Sequence, residues 1–253
     1  MNVRGLSSMK SVLPFALVLS VWWAVASSGR FPPSLLVPPQ LVAQAFVDGV
    51  ASGELQAHLS LSLGRLAAGL AMGSAAGLLV GVLMAVSRNF HVATAPLFNT
   101  VRQVPSIALI PVLILILGVD ESFKVVIITK AAFFPVALAA AEAVRGIPAT
   151  YIEVARAYRL PRRTVLWKVL LPATVPDVVT GFRLAAGRAW GTLVAAELIA
   201  SDAGLGQMME FGRQMFRMDV VMLGLVIAGL IGFALDLGLK ALETRLTRWR
   251  TAR

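Results

Sequence analysis

Residues 66–86 read LAAGLAMGSAAGLLVGVLMAV, an apolar run without a single charge in which Gly69, Gly73, Gly77 and Gly81 recur at every fourth place. A helix rises ~1.5 Å per residue, so about 21 residues cross the ~30 Å hydrocarbon core of a bilayer. The run has that length. Glycines four apart share one helix face, and without Cβ atoms they let another backbone approach closely. This face is therefore expected to be a helix–helix contact inside a membrane.

The rest of the chain agrees with that solvent. Of 253 residues, 58% are hydrophobic and only 14% charged, with a mean hydropathy of +0.80, well away from water-soluble domains. A net charge of +10 would suggest nucleic acid in a soluble protein. Here the basic residues fall mostly in short segments between apolar runs, so they report membrane orientation and nucleic acid is not an expected partner. Cysteine is absent, which excludes disulfides, thiolate metal sites and a cysteine nucleophile. His58 and His91 are the only histidines and lie far apart without a ligand cluster, so neither a metal nor a cofactor is expected.

Five further spans are predicted, at about 11–27, 96–118, 124–142, 177–200 and 220–239, each bounded by polar or turn-forming residues. The first could be a signal peptide ending at Ala26, Ser27 and Ser28, but Trp22 and Trp23 suit the interface belt of an anchor helix. Residues 31–40 carry four prolines and read as an extended connector before a polar, helical stretch ending near Ser60. The whole chain, 1–253, is read as one transmembrane domain. With a cytoplasmic N-terminus, Arg4, Lys10, Arg88, Arg145, Arg156, Arg159, Arg162, Arg163, Lys168, Lys240, Arg245, Arg248, Arg250 and Arg253 lie inside. Arg30, Lys124, Arg213 and Arg217 then lie outside, a small minority, so the positive-inside rule puts both termini in the cytoplasm.

Residues 143–176, between the fourth and fifth spans, form a long and patterned loop. Thr150 and Glu153 have the spacing of a capping box, which predicts a short helix starting there. Pro161 disfavours helical geometry at Leu160, and a second helical segment from Arg162 or Thr164 is expected to be interrupted at Pro172 and Pro176. The outcome is a helix-turn-helix on the cytoplasmic surface.

This loop resembles that of inner-membrane permeases of binding-protein-dependent ABC importers: EAA, three residues, Gly, nine residues, Ile-x-Leu-Pro. The matching residues are Glu153-Val154-Ala155, then Arg159 at the glycine position, then Val169-Leu170-Leu171-Pro172. Arg159 departs most, since glycine would permit a left-handed cap that other residues adopt at a cost of roughly 1 kcal/mol. Pro161 offers another way to end the helix. Residues 100–105 (TVRQVP), Ala196-Glu197-Leu198-Ile199 and Gly204-Leu205-Gly206 are similar to further elements of the family. Pro38, Gly53-Glu54-Leu55, His58 and Ser62-Leu63-Gly64-Arg65 look most like its sulfonate, nitrate and taurine branch.

The resemblance implies an all-α, six-helix type I permease that acts as a dimer, expected to be a homodimer, with two separate ABC ATPase subunits and a periplasmic solute-binding protein. In such permeases the loop inserts a coupling helix into the ATPase, which assigns coupling to Thr150, Glu153, Ala155, Arg156, Arg159, Leu171 and Pro172. The chain has no Gly-Lys-Ser/Thr phosphate-binding sequence, so ATP hydrolysis is expected on another chain and the protein is not read as an enzyme. The competing reading of the loop is a basic surface helix that binds anionic lipid headgroups.

Charges within spans are costly and seldom face lipid, which singles out Lys130, Arg188 and Glu197 as candidates for the translocation pathway. Lys130 and Glu197 fall at similar depth and are expected to pair or both to line the outer half of the path; a purely structural pair is the alternative. Arg188, near mid-depth, either attracts an anionic solute or binds backbone carbonyls. Gly204 and Gly206, beside Asp202, either shape an outer gate or form a plain turn. The Trp residues, Trp190 and Trp249 among them, read as interface anchors or packing. Rival classes are a membrane-embedded enzyme, disfavoured by the lack of a His, Asp or Glu cluster, and a passive channel or membrane anchor.

Overall fold

Residues 3–32 and 36–248 are described by the computed structural model of the protein. The side chains of residues 3–12, Phe15 and Arg162 lie outside that description, as do Trp249, Arg250 and Arg253 altogether. Every long element is a helix. In chain order they are α1 (Val3–Ser27), α2 (Pro39–Ala51), α3 (Glu54–Val86), α4 (Arg88–Gln103), α5 (Ile110–Leu117) and α6 (Glu121–Arg145). Then follow α7 (Ala149–Ala157), α8 (Arg162–Val165), α9 (Leu171–Ile199), α10 (Leu205–Gln214) and α11 (Met218–Leu246). Among the described residues, α3, α6, the continuous 163–199 stretch and α11 are each long and apolar enough to cross a bilayer. The α4–α5 pair makes a fifth crossing if counted as one, and α1 contributes a shorter apolar stretch, Ala16–Ser27.

The glycine stripe of α3 lies against α6. A Cβ added at Gly69 would stand 2.6 Å from Ile128, and one at Gly73 would stand 2.4 Å from the Thr129 carbonyl. At Gly77 and Gly81 it would meet the carbonyls of Phe133 and Ala137 at 2.6 and 2.3 Å. Ile128, Ala132, Val136 and Ala140, again four apart, form the facing ridge. Contacts advance in the same direction along both helices, so α3 and α6 are parallel, and the chain must return between them through α4 and α5. Gly181 meets Ala139, while Arg183 pairs with Glu243 and Trp190 Nε1 donates to Ala228 O at 2.9 Å. Helix α9 is thus antiparallel to both α6 and α11. Crossings alternate from α3 onward, with α6 at the centre, where Phe123, Ile127, Ile128, Ala132 and Ala140 are fully buried.

Several predicted boundaries change. The second span begins at Glu54, not Leu66, so the helical stretch expected to end near Ser60 is split between α2 and the start of α3. The third span is not one straight helix. Pro105 holds Val104 in an extended conformation (φ −69°, ψ 118°), and the chain bends by 88° between α4 and α5. Nor do Pro172 and Pro176 interrupt the helix. A π-helical turn at Leu166–Leu170 joins α8 to α9. Such a turn changes the hydrogen-bond register just before Pro172, and prolines are tolerated inside spans when neighbouring groups satisfy the backbone. Trp22 Nε1 donates to Val37 O at 3.0 Å, tying α1 to the connector before α2.

Candidate functional site

The bundle has two distinct ends. At one, here called the loop end, α7 and α8 follow the last turn of α6, and Arg145 Nη2 caps α3 by donating to Met84 O at 2.9 Å. At the other, the cluster end, lie α2, α10 and a set of buried charges.

At the loop end, α7 starts at Ala149 with Pro148 in the N-cap position and no side-chain cap. The capping box predicted from Thr150 and Glu153 is therefore not formed: Thr150 is already inside the helix, and both side chains are exposed. The other end of α7 does what a glycine would have done. Arg159 has φ +48°, Leu160 N–H donates to Ala155 O at 2.9 Å, and Arg159 N–H donates to Arg156 O at 2.9 Å. Those two bonds are a complete Schellman closure, formed here with arginine in the left-handed position. Ala155 is buried under the turn, and a concavity of about 560 Å³ opens beside it, lined by Ile152, Arg156, Leu160, Val165, Leu166 and Leu170. Tyr158 and Trp167 are exposed around it, at 77% and 62%, leaving an apolar, basic surface. Leu171 and Pro172 begin α9 directly behind that surface, so α7 is linked to a span by one closed turn and a continuous helix.

At the cluster end, Glu197 does not pair with Lys130. It is 1% exposed and accepts from Ser62 Oγ at 2.8 Å, Arg65 Nη1 at 2.7 Å and Gly206 N at 3.0 Å. Arg65, itself buried, also reaches Glu121 through Nη2 at 2.6 Å and the Ala203 carbonyl through Nη1 at 2.6 Å. Lys124 is buried too, with Nζ 3.0 Å from Glu121. The turn at residues 201–206 is stitched to α3 by two backbone donors, Gly204 N to His58 Nδ1 and Leu205 N to Ser62 Oγ, both at 2.9 Å. Gly204 has φ +123°, and a Cβ there would stand 2.4 Å from Glu197 Oε1; at Gly206 it would stand 2.6 Å from Glu197 Cβ. These glycines admit the carboxylate. The sequence does not display this grouping, because Arg65 falls just before the predicted span and lies 132 positions from Glu197. On α10, outside the spans, Arg213 and then Gln214 donate to Glu210 and hold its carboxyl down at about 2.

Lys130 and Arg188 come together elsewhere. Both line a cavity of about 370 Å³ at the α4–α5 break, with Arg102, Phe134 and Thr192 also on its walls. Lys130 Nζ donates to Val104 O at 2.6 Å. Arg102, in the TVRQVP segment, joins the pathway candidates Lys130 and Arg188 only through the bend at Pro105.

Alternating apolar crossings, a short helix closed at its C-terminus by a Schellman turn and an open cationic pocket at the α4–α5 break are the features of a membrane transport protein of the permease class. Residues 73–248 match the family described as binding-protein-dependent transport system inner membrane component. The chain belongs to that family, and is an inner-membrane, multi-pass ABC transporter permease. It is 36% identical to the taurine transport system permease protein TauC of Escherichia coli (strain K12), across 94% of this chain and 89% of that one. It is 34% identical to the putative aliphatic sulfonates transport permease protein SsuC of Bacillus subtilis (strain 168), across 96% and 88%. The nitrate import permease protein NrtB of Leptolyngbya laminosa is 30% identical, across 90% and 84%. In fold, the chain is similar to the MetNI methionine ABC transporter in inward-facing conformations, with a TM-score of 0.58 and 24% identity over 74% of this chain and 94% of that one.

Proposed function

We propose that the chain is the membrane-spanning subunit of an ATP-driven importer for a small anionic solute such as a sulfonate, taurine or nitrate. It acts as a homodimer, with two ATPase subunits docked at the loop end and a solute-binding protein at the cluster end. Both termini are cytoplasmic in this arrangement, in keeping with the bias of basic residues. The solute class follows the names of the three relatives. One observation carries the reading: the Schellman closure at Arg159 fixes the turn by which α7 joins the helical segment that runs through α8 into α9, which gives a push on the exposed Glu153 face a short route to a span. Biasing two packed arrangements whose solute affinities differ is all that alternating access requires.

The test is uptake by proteoliposomes holding permease, ATPase and binding protein, with Glu153→Lys in the permease. ATP-dependent uptake should fall at least tenfold, together with ATPase binding. A passive pore or an anchor would be indifferent, and uptake within twofold of wild type would refute the assignment of α7 as the coupling element.

A further inference from the structure

Arg102, Lys130 and Arg188 converge on the cavity at the α4–α5 break, and no carboxylate lines it. Among the described residues neither Arg102 nor Arg188 has a hydrogen-bond or ion-pair partner. Unpaired cations within spans seldom face lipid, so something else compensates them. Lys130 is held differently. Its Nζ donates to Val104 O at 2.6 Å and reaches Ser106 Oγ at 3.5 Å, the two residues flanking Pro105, so it ties α6 to the bend itself. A carbonyl is a neutral acceptor, whereas an oxyanion adds the full Coulomb attraction of a charge. Phe134, with its ring centroid 5.7 Å from the same Nζ, supplies an apolar wall for a carbon substituent. Gly187 and Gly191, also on the lining, have open space where a Cβ would stand, which leaves room over Arg188.

We propose that this cavity is a binding site for a small oxyanion, held by Arg102, Lys130 and Arg188, and that Lys130 exchanges the Val104 carbonyl for the bound anion and so releases the bend. The proposal deepens the reading of the chain as an anion permease and rests on it. Arg102 and Arg188 offer planar forks to two oxygens each, and Lys130 offers a point charge that reports occupancy to the backbone of the broken crossing. A lipid headgroup phosphate shares this chemistry, and the test separates it from a solute.

The permease–ATPase complex in phosphatidylcholine nanodiscs is titrated with labelled ethanesulfonate, nitrate and, as a cationic control, choline. Ethanesulfonate should bind and choline should not. Lys130→Met and Arg188→Gln should each weaken ethanesulfonate at least tenfold while still assembling with the ATPase, and Lys130→Arg should restore binding to within about threefold. Ile110, fully buried at the start of α5, gives a second readout, because the chain has no native thiol. Maleimide labelling of Ile110→Cys should rise at least fivefold with ethanesulfonate, and should be fast with or without it when Lys130→Met is added. Affinities within twofold of wild type in every variant, or labelling indifferent to the probe, overturn the site and leave the importer reading standing. Loss of probe binding when phosphatidylglycerol is included makes the headgroup the occupant and overturns it as well. If the wild-type complex imports only uncharged solutes, the anion reading itself is wrong.

Discussion

Replacing Glu197 by Gln tests whether the cluster end is held together by charge or only by shape. The carboxylate accepts from Ser62, Arg65 and Gly206, and it is 1% exposed. An amide of the same shape must turn its NH2 toward one of these donors, so a bond is lost and the Arg65 charge is left short of an acceptor. Removing one member of a buried pair costs about 3–5 kcal/mol. Arg65 keeps Glu121, whose side chain is 60% exposed, which lowers the expected cost to about 2–4 kcal/mol. At about 2–4 °C per kcal/mol for a chain of this size, the unfolding midpoint should fall by roughly 5–15 °C. The assay is thermal unfolding of the purified permease–ATPase complex in detergent, alongside Arg65→Met and the double variant. The double should cost less than the sum of the singles by at least about 1 kcal/mol, because it leaves no uncompensated charge. A fall below about 2 °C for Glu197→Gln, with additive singles, would refute the view that this ion pair holds the turn at 201–206 to α3.

Gly73→Leu should separate α3 from α6, since even a Cβ would stand 2.4 Å from the Thr129 carbonyl; a loss of about 2–3 kcal/mol is expected by thermal unfolding. Gly64→Ala, with open space around its Cβ inside α3, is the control and should not destabilise, instead adding up to about 1 kcal/mol. Arg159→Gly should relieve the left-handed strain by about 0.5–1 kcal/mol and slow amide exchange in α7, whereas Arg159→Val should speed it. Glu210, lowered from 4.5 to about 2, contributes stability that is present above pH 4.5 and is lost only as pH falls through 2. A carboxyl NMR titration with a midpoint near 4.5 would contradict the Arg213 contact.

How much of this was legible depended on whether the signal was local. Apolar run length and glycine spacing are properties of one stretch of chain, so the α3 stripe and the four crossings built on α3, α6, α9 and α11 could be read along it, though their bounds differ from those expected. The bend at Val104–Pro105 was present as a residue-before-proline signal inside TVRQVP, beside the polar Asn99, Arg102 and Gln103, but the strongly apolar run that follows carried the predicted span across it. Arg159 was legible as a departure from glycine; that its backbone would still take φ +48° was not, because the Schellman bonds to Ala155 and Arg156 outweigh a strain of roughly 1 kcal/mol.

Sequence by itself determined the solvent, the helical class and the alternation of crossings, since each follows from the energy of placing consecutive residues in hydrocarbon or water. Only the tertiary structure decided which charges meet. Glu197 lies 132 positions from Arg65 along the chain yet 2.7 Å from it in space, and Lys130 went to a backbone carbonyl instead. A charge within a span must find a partner, but which one it finds depends on helix rotation and register, and those are set by packing across the whole bundle.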